Sequence, residues 1–152
     1  MTIYLVRHAK AGSRSSWEGP DEDRPLSKNG RRQTEQLTAS LAQSPVSRVL
    51  TSPYVRCIQT VEPLATALGI PVEPCDSLAE GTPCADAVDL LEKYSGEDAV
   101  LCSHGDVIGD LLDECGRRGV GIGEGGLEKG SVWVLEFDAG QVSSARYIPS
   151  PR

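Results

Sequence analysis

The chain holds only two histidines, and each stands where a short apolar run stops: Tyr4-Leu5-Val6 leads into Arg7-His8, and Val100-Leu101-Cys102-Ser103 leads into His104-Gly105. In open α/β sheets ligands bind outside the carboxyl ends of the strands, so two imidazoles at two strand ends can share one site. A single histidine in such a place is more often structural; two of two are better read as chemistry. Three chemistries use such a pair. A metal centre needs a third or fourth His, Cys or carboxylate ligand in a recognisable cluster. Neither HExxH nor a cysteine-rich cluster is present, and Arg7 beside His8 repels a cation. A general acid and base pair acting at carbon finds no further support in the neighbouring residues. Phosphoryl transfer uses fixed cationic donors to stabilise charge spread over the equatorial oxygens, and the planar, permanently charged guanidinium of Arg7 suits that task.

A third candidate stands in Leu50-Thr51-Ser52-Pro53-Tyr54-Val55-Arg56, again a strand running into a helix. Arg56 falls in the first helical turn, where free N–H groups and the positive end of the dipole disfavour a cation. An anion held between them removes the conflict; otherwise the side chain is exposed and reaches for a carboxylate. The charge distribution favours the anion. The formal charge is −7, which argues against a polymeric nucleic acid or a membrane surface as partner. Yet Met1 to Arg32 carries seven bases (Arg7, Lys10, Arg14, Arg24, Lys28, Arg31, Arg32) against four acids, a net +3 that leaves −10 on the remainder. Such an island steers a compact anion, although a solvated basic helix start has the same composition.

Alternating elements position these residues. Thr2 to Val6 reads as a strand, followed by a long loop from Ala9 to Asn29 rich in Gly, Ser and Pro, of a length that in compact domains is functional or disordered. Helices are expected over Gly30 to Gln43, Tyr54 to Leu68 (stopped by Gly69), Ala85 to Tyr94 and Asp106 to Cys115, and strands over Ser47 to Thr51, Ile70 to Glu73 and Asp98 to Cys102. Asp76 to Pro83 is turn-rich. Ser131 to Asp138 and Gln141 to Tyr147, separated by Ala139 and Gly140, have the spacing of a β-hairpin. The expected fold is a three-layer α/β sandwich, its mainly parallel central sheet covered by helices on both faces, with the hairpin at one edge. With 152 residues, one domain over 1–152 is expected.

Arg7-His8-Ala9, Pro25-Leu26-Ser27-x-x-Gly30, Ser52-x-x-x-Arg56-x-x-Gln59-Thr60 and Ser103-His104-Gly105 together resemble the histidine phosphatase superfamily, the phosphoglycerate mutase-like fold, in order and spacing from about Met1 to Leu112. The short chain and the R-H-A form resemble the SixA-type phosphohistidine phosphatases. The segment from Gly12 to Leu26 also resembles the phosphatase domain that follows a Nudix hydrolase in some actinobacterial proteins. The resemblance implies that His8 is the nucleophile and that Arg7, Arg56 and His104 form the phosphate pocket. A neutral imidazole is a competent nucleophile near neutral pH, and a protonated His104 adds positive charge. The family draws the leaving-group proton from an acid after the fourth strand, for which Glu80 is the candidate and Asp76 and Asp106 are rivals, since a carboxyl in a desolvated pocket can hold its proton toward neutrality. Many members place an asparagine a few residues after the histidine; here Ser13-Arg14-Ser15-Ser16 stands in its place, and Ser13 or Arg14 is the substitute. The chain lacks the long insertions that roof a mutase site.

The expected activity is therefore hydrolysis of phosphomonoesters or phosphohistidine, with neither cofactor nor metal. The alternative is a catalytically weak phosphate-recognition module that binds a phosphoprotein or a nucleotide. Candidate partners are a phosphorylated small molecule, a nucleotide or a phosphohistidine protein, and the oligomeric state is not legible. No run is long enough to cross a bilayer, and the N-terminus lacks a signal-peptide pattern. The five cysteines, an odd number without C-x-x-C pairs, read as reduced thiols of a cytoplasmic protein. Gly121 to Gly126 formally fits GxGxxG but follows a helix and precedes a strand, the reverse of a dinucleotide site, and reads as a flexible loop.

Overall fold

The computed structural model describes residues 1–151. In chain order the elements are β1 (Thr2–Arg7), α1 (Lys28–Leu41), β2 (Arg48–Thr51), α2 (Val55–Leu68), β3 (Val72–Pro74), α3 (Cys84–Lys93), β4 (Ala99–Ser103), α4 (Gly105–Arg117), β5 (Gly121–Ile122), β6 (Val132–Asp138) and β7 (Gln141–Ile148), with short 3-10 turns over Asp21–Asp23 and Asp76–Leu78. The seven strands are ordered β3-β2-β4-β1-β6-β7-β5. Pairing is parallel from β3 through β2 and β4 to β1, and antiparallel from β1 to β6 and from β6 to β7.

Side chains alternate across a strand, and the central strands are apolar on both sides. Ile3 and Leu5 of β1 and Ala99 and Leu101 of β4 join one core cluster, roofed by Leu90 and Leu91 of α3 and Ile108 and Leu111 of α4. Val6, Val100 and Cys102 join the other, roofed by Leu37 and Leu41 of α1 and Val61 and Leu64 of α2. Each fully buried side chain of this kind contributes about 1.5–3 kcal/mol, so neither helical layer can be removed without exposing one face of the sheet. The three-layer sandwich is thus the expected one. Among the described residues no helix is long and apolar enough to cross a membrane.

Most element bounds lie within a residue or two of the expected ones, and two departures bear on the site and the sheet. α1 starts at Lys28 rather than Gly30 because the Ser27 hydroxyl caps it, accepting the Gly30 N–H at 3.1 Å. The terminal hairpin forms as expected, with Ala139 and Gly140 both at positive φ (52° and 78°), as a two-residue primed turn requires. It is not the outermost element: Gly121–Ile122, read as loop, pairs with Ser144 and Ala145 and lies beyond β7.

Candidate active site

β1 and β4 are parallel neighbours with Arg7 opposite Ser103, and the His8 N–H donates to the Ser103 carbonyl at 3.1 Å. The next residue on each strand is a histidine, so both rings leave the same end of the sheet, their centroids 5.4 Å apart and tilted by 65°. His8 is 5% exposed. Its Nδ1 lies 2.8 Å from the Ala9 carbonyl oxygen; a carbonyl can only accept, so Nδ1 carries the proton and Nε2 keeps its lone pair. Burial, and then the charges of His104, Arg56 and Arg7, hold the His8 pKa down to about 3 against the Ala9 hydrogen bond that raises it. The ring is a neutral base at any physiological pH.

Arg56 and His104 are each 1% exposed. The Arg56 guanidinium donates through Nη1 to the Asp21 carbonyl (2.9 Å) and through Nη2 to Asp21 Oδ2 (3.0 Å), and stacks over the Tyr54 ring at 4.9 Å. His104 presents Nε2 to the Ser52 hydroxyl at 2.8 Å and to Cys57 Sγ at 3.5 Å. Ser52 Oγ also accepts the Tyr54 N–H at 3.3 Å; its hydroxyl proton directed at Nε2 is the arrangement that leaves the ring proton of a neutral His104 on Nδ1. Arg7 donates through Nη1 to the Leu127 carbonyl and lies across the start of α4, where a Cβ on Gly105 would stand 3.1 Å from its Cζ. One nitrogen on each of the three residues, Arg7 Nε, Arg56 Nε and His104 Nδ1, is buried without any hydrogen-bond partner.

Glu80 stands at the mouth. Its Oε1 is 3.7 Å from Arg56 Nη2 and 3.9 Å from His104 Nδ1, and its side chain is 41% exposed. Asp106 lies close enough for its charge to act on the Arg7 guanidinium, and its Oδ2 accepts the Gly81 N–H at 2.8 Å and so anchors the turn that carries Glu80. Asp76 is exposed, and its backbone carbonyl accepts the Thr82 hydroxyl at 3.0 Å, closing the same turn.

The long loop is folded back rather than loose. The Ala9 N–H donates to Thr60 Oγ1 at 3.0 Å, the Leu26 N–H donates to Gln59 Oε1 at 2.9 Å, and the Lys10 carbonyl accepts from both the N–H (2.9 Å) and the hydroxyl (3.0 Å) of Ser27. Gly30 is obligatory there, because a Cβ would come within 1.9 Å of that carbonyl oxygen. Ser13 and Arg14 lie outside the inner group. Ser13 Oγ bonds Ser15 Oγ at 2.9 Å, and the 70% exposed Arg14 reaches Asp21 at 3.6 Å. Asp21 also accepts from Arg24 Nε at 2.9 Å. Neither Asp21 nor Arg24 stands out in the sequence reading; the D-x-x-R spacing just before Pro25 was the available signal. Lys129 belongs to the rim as well, its ammonium held below the ordinary value by partial burial and by the charges of Arg7, Arg24, Lys10 and Arg14. Among the described residues no group of three or more His, Cys, Asp or Glu side chains is placed to hold a metal ion.

A family model described as the histidine phosphatase superfamily (branch 1) matches residues 3–82. The chain is 37% identical over 156 residues to the 8-oxo-(d)GTP phosphatase of Mycolicibacterium smegmatis, covering 99% of this chain and 48% of that protein, so it spans about half the length of this relative. It is 32% identical over 123 residues to the phosphohistidine phosphatase SixA of Escherichia coli, covering 75% of this chain and 73% of SixA. Among solved structures, the protein histidine phosphatase SixA complexed with tungstate is similar in fold, with a TM-score of 0.78 at 21% identity over 98% of this chain and 95% of that one.

Proposed function

Because this chain belongs to the histidine phosphatase superfamily, we propose that it is a metal-independent phosphatase acting on phosphomonoesters or phosphohistidine through a covalent phosphohistidine on His8. The observation that carries this reading is the trio of buried, unpartnered nitrogens on Arg7, Arg56 and His104 around the His8 ring. A buried donor left unpaired costs about 1–3 kcal/mol. A transferring phosphoryl group has three equatorial oxygens, one acceptor for each donor.

In the first half-reaction the Nε2 lone pair of His8 attacks phosphorus in line with the leaving group. The bond from Nε2 to phosphorus forms as the P–O bond of an ester, or the P–N bond of a phosphohistidine substrate, breaks, and the freed electron pair stays on the leaving oxygen or ring nitrogen, which takes a proton from Glu80. In the second half, water gives a proton to the Glu80 carboxylate while its oxygen attacks phosphorus. The N–P bond breaks, its electron pair returns to Nε2, and phosphate departs. Throughout, the Ala9 carbonyl keeps the Nδ1 proton in place, so the lone pair remains on Nε2. Arg7, Arg56 and His104 stabilise the charge on the oxygens.

For the substrate we infer a phosphorylated small molecule, nucleotides included, or a phosphohistidine protein, in keeping with the names of the relatives. The free thiols suit a cytoplasmic setting. The test is hydrolysis of 4-nitrophenyl phosphate in EDTA by the wild type and by His8→Ala, with 32P trapped on the protein without acid. We expect label on the wild type only and no turnover by the variant. Full activity of His8→Ala would overturn the reading, and tight phosphate binding without turnover would make the chain a recognition module instead.

A further inference from the structure

Dephosphorylation at His8 leaves several features of the rim unused. Lys10 and Lys129 are bridged by Gln33, whose Oε1 accepts the Lys10 N–H at 2.9 Å and whose Nε2 donates to the Lys129 carbonyl at 3.2 Å. Both stand beside the pocket in the chain, Lys10 two residues after His8 and Lys129 next to Gly130, whose N–H donates to the carbonyls of Arg7 and His8 at 3.1 Å. Among the described residues neither ammonium has a carboxylate within ion-pair distance, in a protein of net charge −7. Two unpaired cations beside further guanidinium groups are set to take an anion rather than to stabilise the fold.

Trp17 is the second such feature. It is 36% exposed, and its indole N–H donates to the Pro20 carbonyl at 2.9 Å. With Gly12, Ser16, Arg24, Pro25 and Leu26 it lines a depression of about 160 Å3. Cavities that enclose a whole small ligand run to roughly 300–1,000 Å3, so this one takes part of a molecule that is anchored elsewhere. The anchor is adjacent. Arg24 lines the depression and donates to Asp21 Oδ1 at 2.9 Å, while Asp21 Oδ2 accepts from Arg56 of the phosphate pocket at 3.0 Å.

We propose that the rim from His8 past Lys10 and Lys129 to Trp17 is a subsite for a nucleoside polyphosphate, the adjoining phosphate lying between the two lysines and the base stacking on Trp17. The proposal rests on the phosphatase reading only for the position of the terminal phosphoryl group. An aromatic face takes any base by stacking, and the lysines carry the charge.

The test measures binding, independently of turnover: calorimetric titration of the His8→Ala protein with GDP and with pyrophosphate, alone and combined with Trp17→Ala or with Lys10→Ala/Lys129→Ala. GDP is expected to bind more tightly than pyrophosphate. Trp17→Ala should weaken GDP on the order of tenfold and leave pyrophosphate unchanged, and the lysine pair should weaken both. Equal affinities for GDP and pyrophosphate, or a Trp17→Ala variant that binds GDP unchanged, would overturn the subsite. Acetyl phosphate hydrolysis by protein retaining His8 separates the two claims. If it persists while GDP binding is insensitive to Trp17, only the subsite fails; if it is absent from the wild type, the phosphatase reading fails and the titration alone decides the subsite.

Discussion

Neutralising one imidazole inside the pocket ties the stability of the whole fold to pH. The His8 pKa is lowered to about 3, by burial first and then by His104, Arg56 and Arg7, whereas the same ring in the unfolded chain titrates near 6.5. Because the folded pKa is the lower one, the contribution is fully present above about pH 6.5 and is lost as pH falls toward 3. Between pH 7 and pH 5 the unfolded ring takes up its proton and the folded ring does not, which lowers stability by about 2 kcal/mol, or about 4–8 °C in Tm for a chain of this size. His8→Gln supplies the comparison, since an amide does not titrate. Urea unfolding of both proteins at pH 7 and pH 5, in buffers free of phosphate and sulfate, should show the wild type losing about 2 kcal/mol more than the variant. Asp21, held low by Arg24 and Arg56 against its burial, and Glu114, held low by Arg117 and Arg118, contribute stability that is present above the usual carboxylate range and lost as pH falls through it. Both proteins share that loss, so it cancels. Identical pH dependence in the two would refute the account of the buried neutral ring.

Further outcomes follow from other contacts. Glu80→Gln should slow hydrolysis of alkyl phosphates by about a hundredfold or more and barely affect 4-nitrophenyl phosphate, measured as kcat for each; equal slowing would remove Glu80 as the proton donor. Asp106→Ala frees the Gly81 N–H and should cost about 1 kcal/mol in urea denaturation, while turnover of alkyl phosphates falls several-fold as the Glu80 turn loosens. Gly30→Ala drives a methyl into the Lys10 carbonyl and should destabilise by about 3 kcal/mol. Gly116→Ala in α4, where a Cβ meets nothing within 4 Å, should stabilise by about 0.5–1 kcal/mol.

The positions of the strands other than β5 and the meeting of His8 with His104 were legible because both depend on short apolar runs, whose period and end-points are local, whereas the order of the strands in the sheet is not written in any one run. Arg56 was legible for a similar reason, as a cation in the wrong place on a helix. Asp21 and Arg24 were not, because they act through a loop that has no periodicity; only its folded path brings the Asp21 carboxylate to Arg56. Gln59 and Thr60 were visible as letters of a motif, but their work, holding the Leu26 and Ala9 backbone, is a contact between segments distant in sequence. Ser13 and Arg14 stand in the chain where the family's asparagine does, but the loop that carries them turns outward and presents them at the rim. The helix cap at Ser27 was a local signal that Gly30, mistaken for the helix start, obscured.

The backbone bond from His8 to Ser103 has a consequence for how this scaffold can change. Adjacent strands lie about 4.8 Å apart, so the gap between the two rings is set by the sheet ladder and not by the chain that joins them. The segments between can lengthen or be rewritten, Ala9 to Asn29 above all, at a cost that grows only slowly with loop length. Specificity and reactivity are therefore carried on separate parts of one chain, one free to drift while the other is held in register.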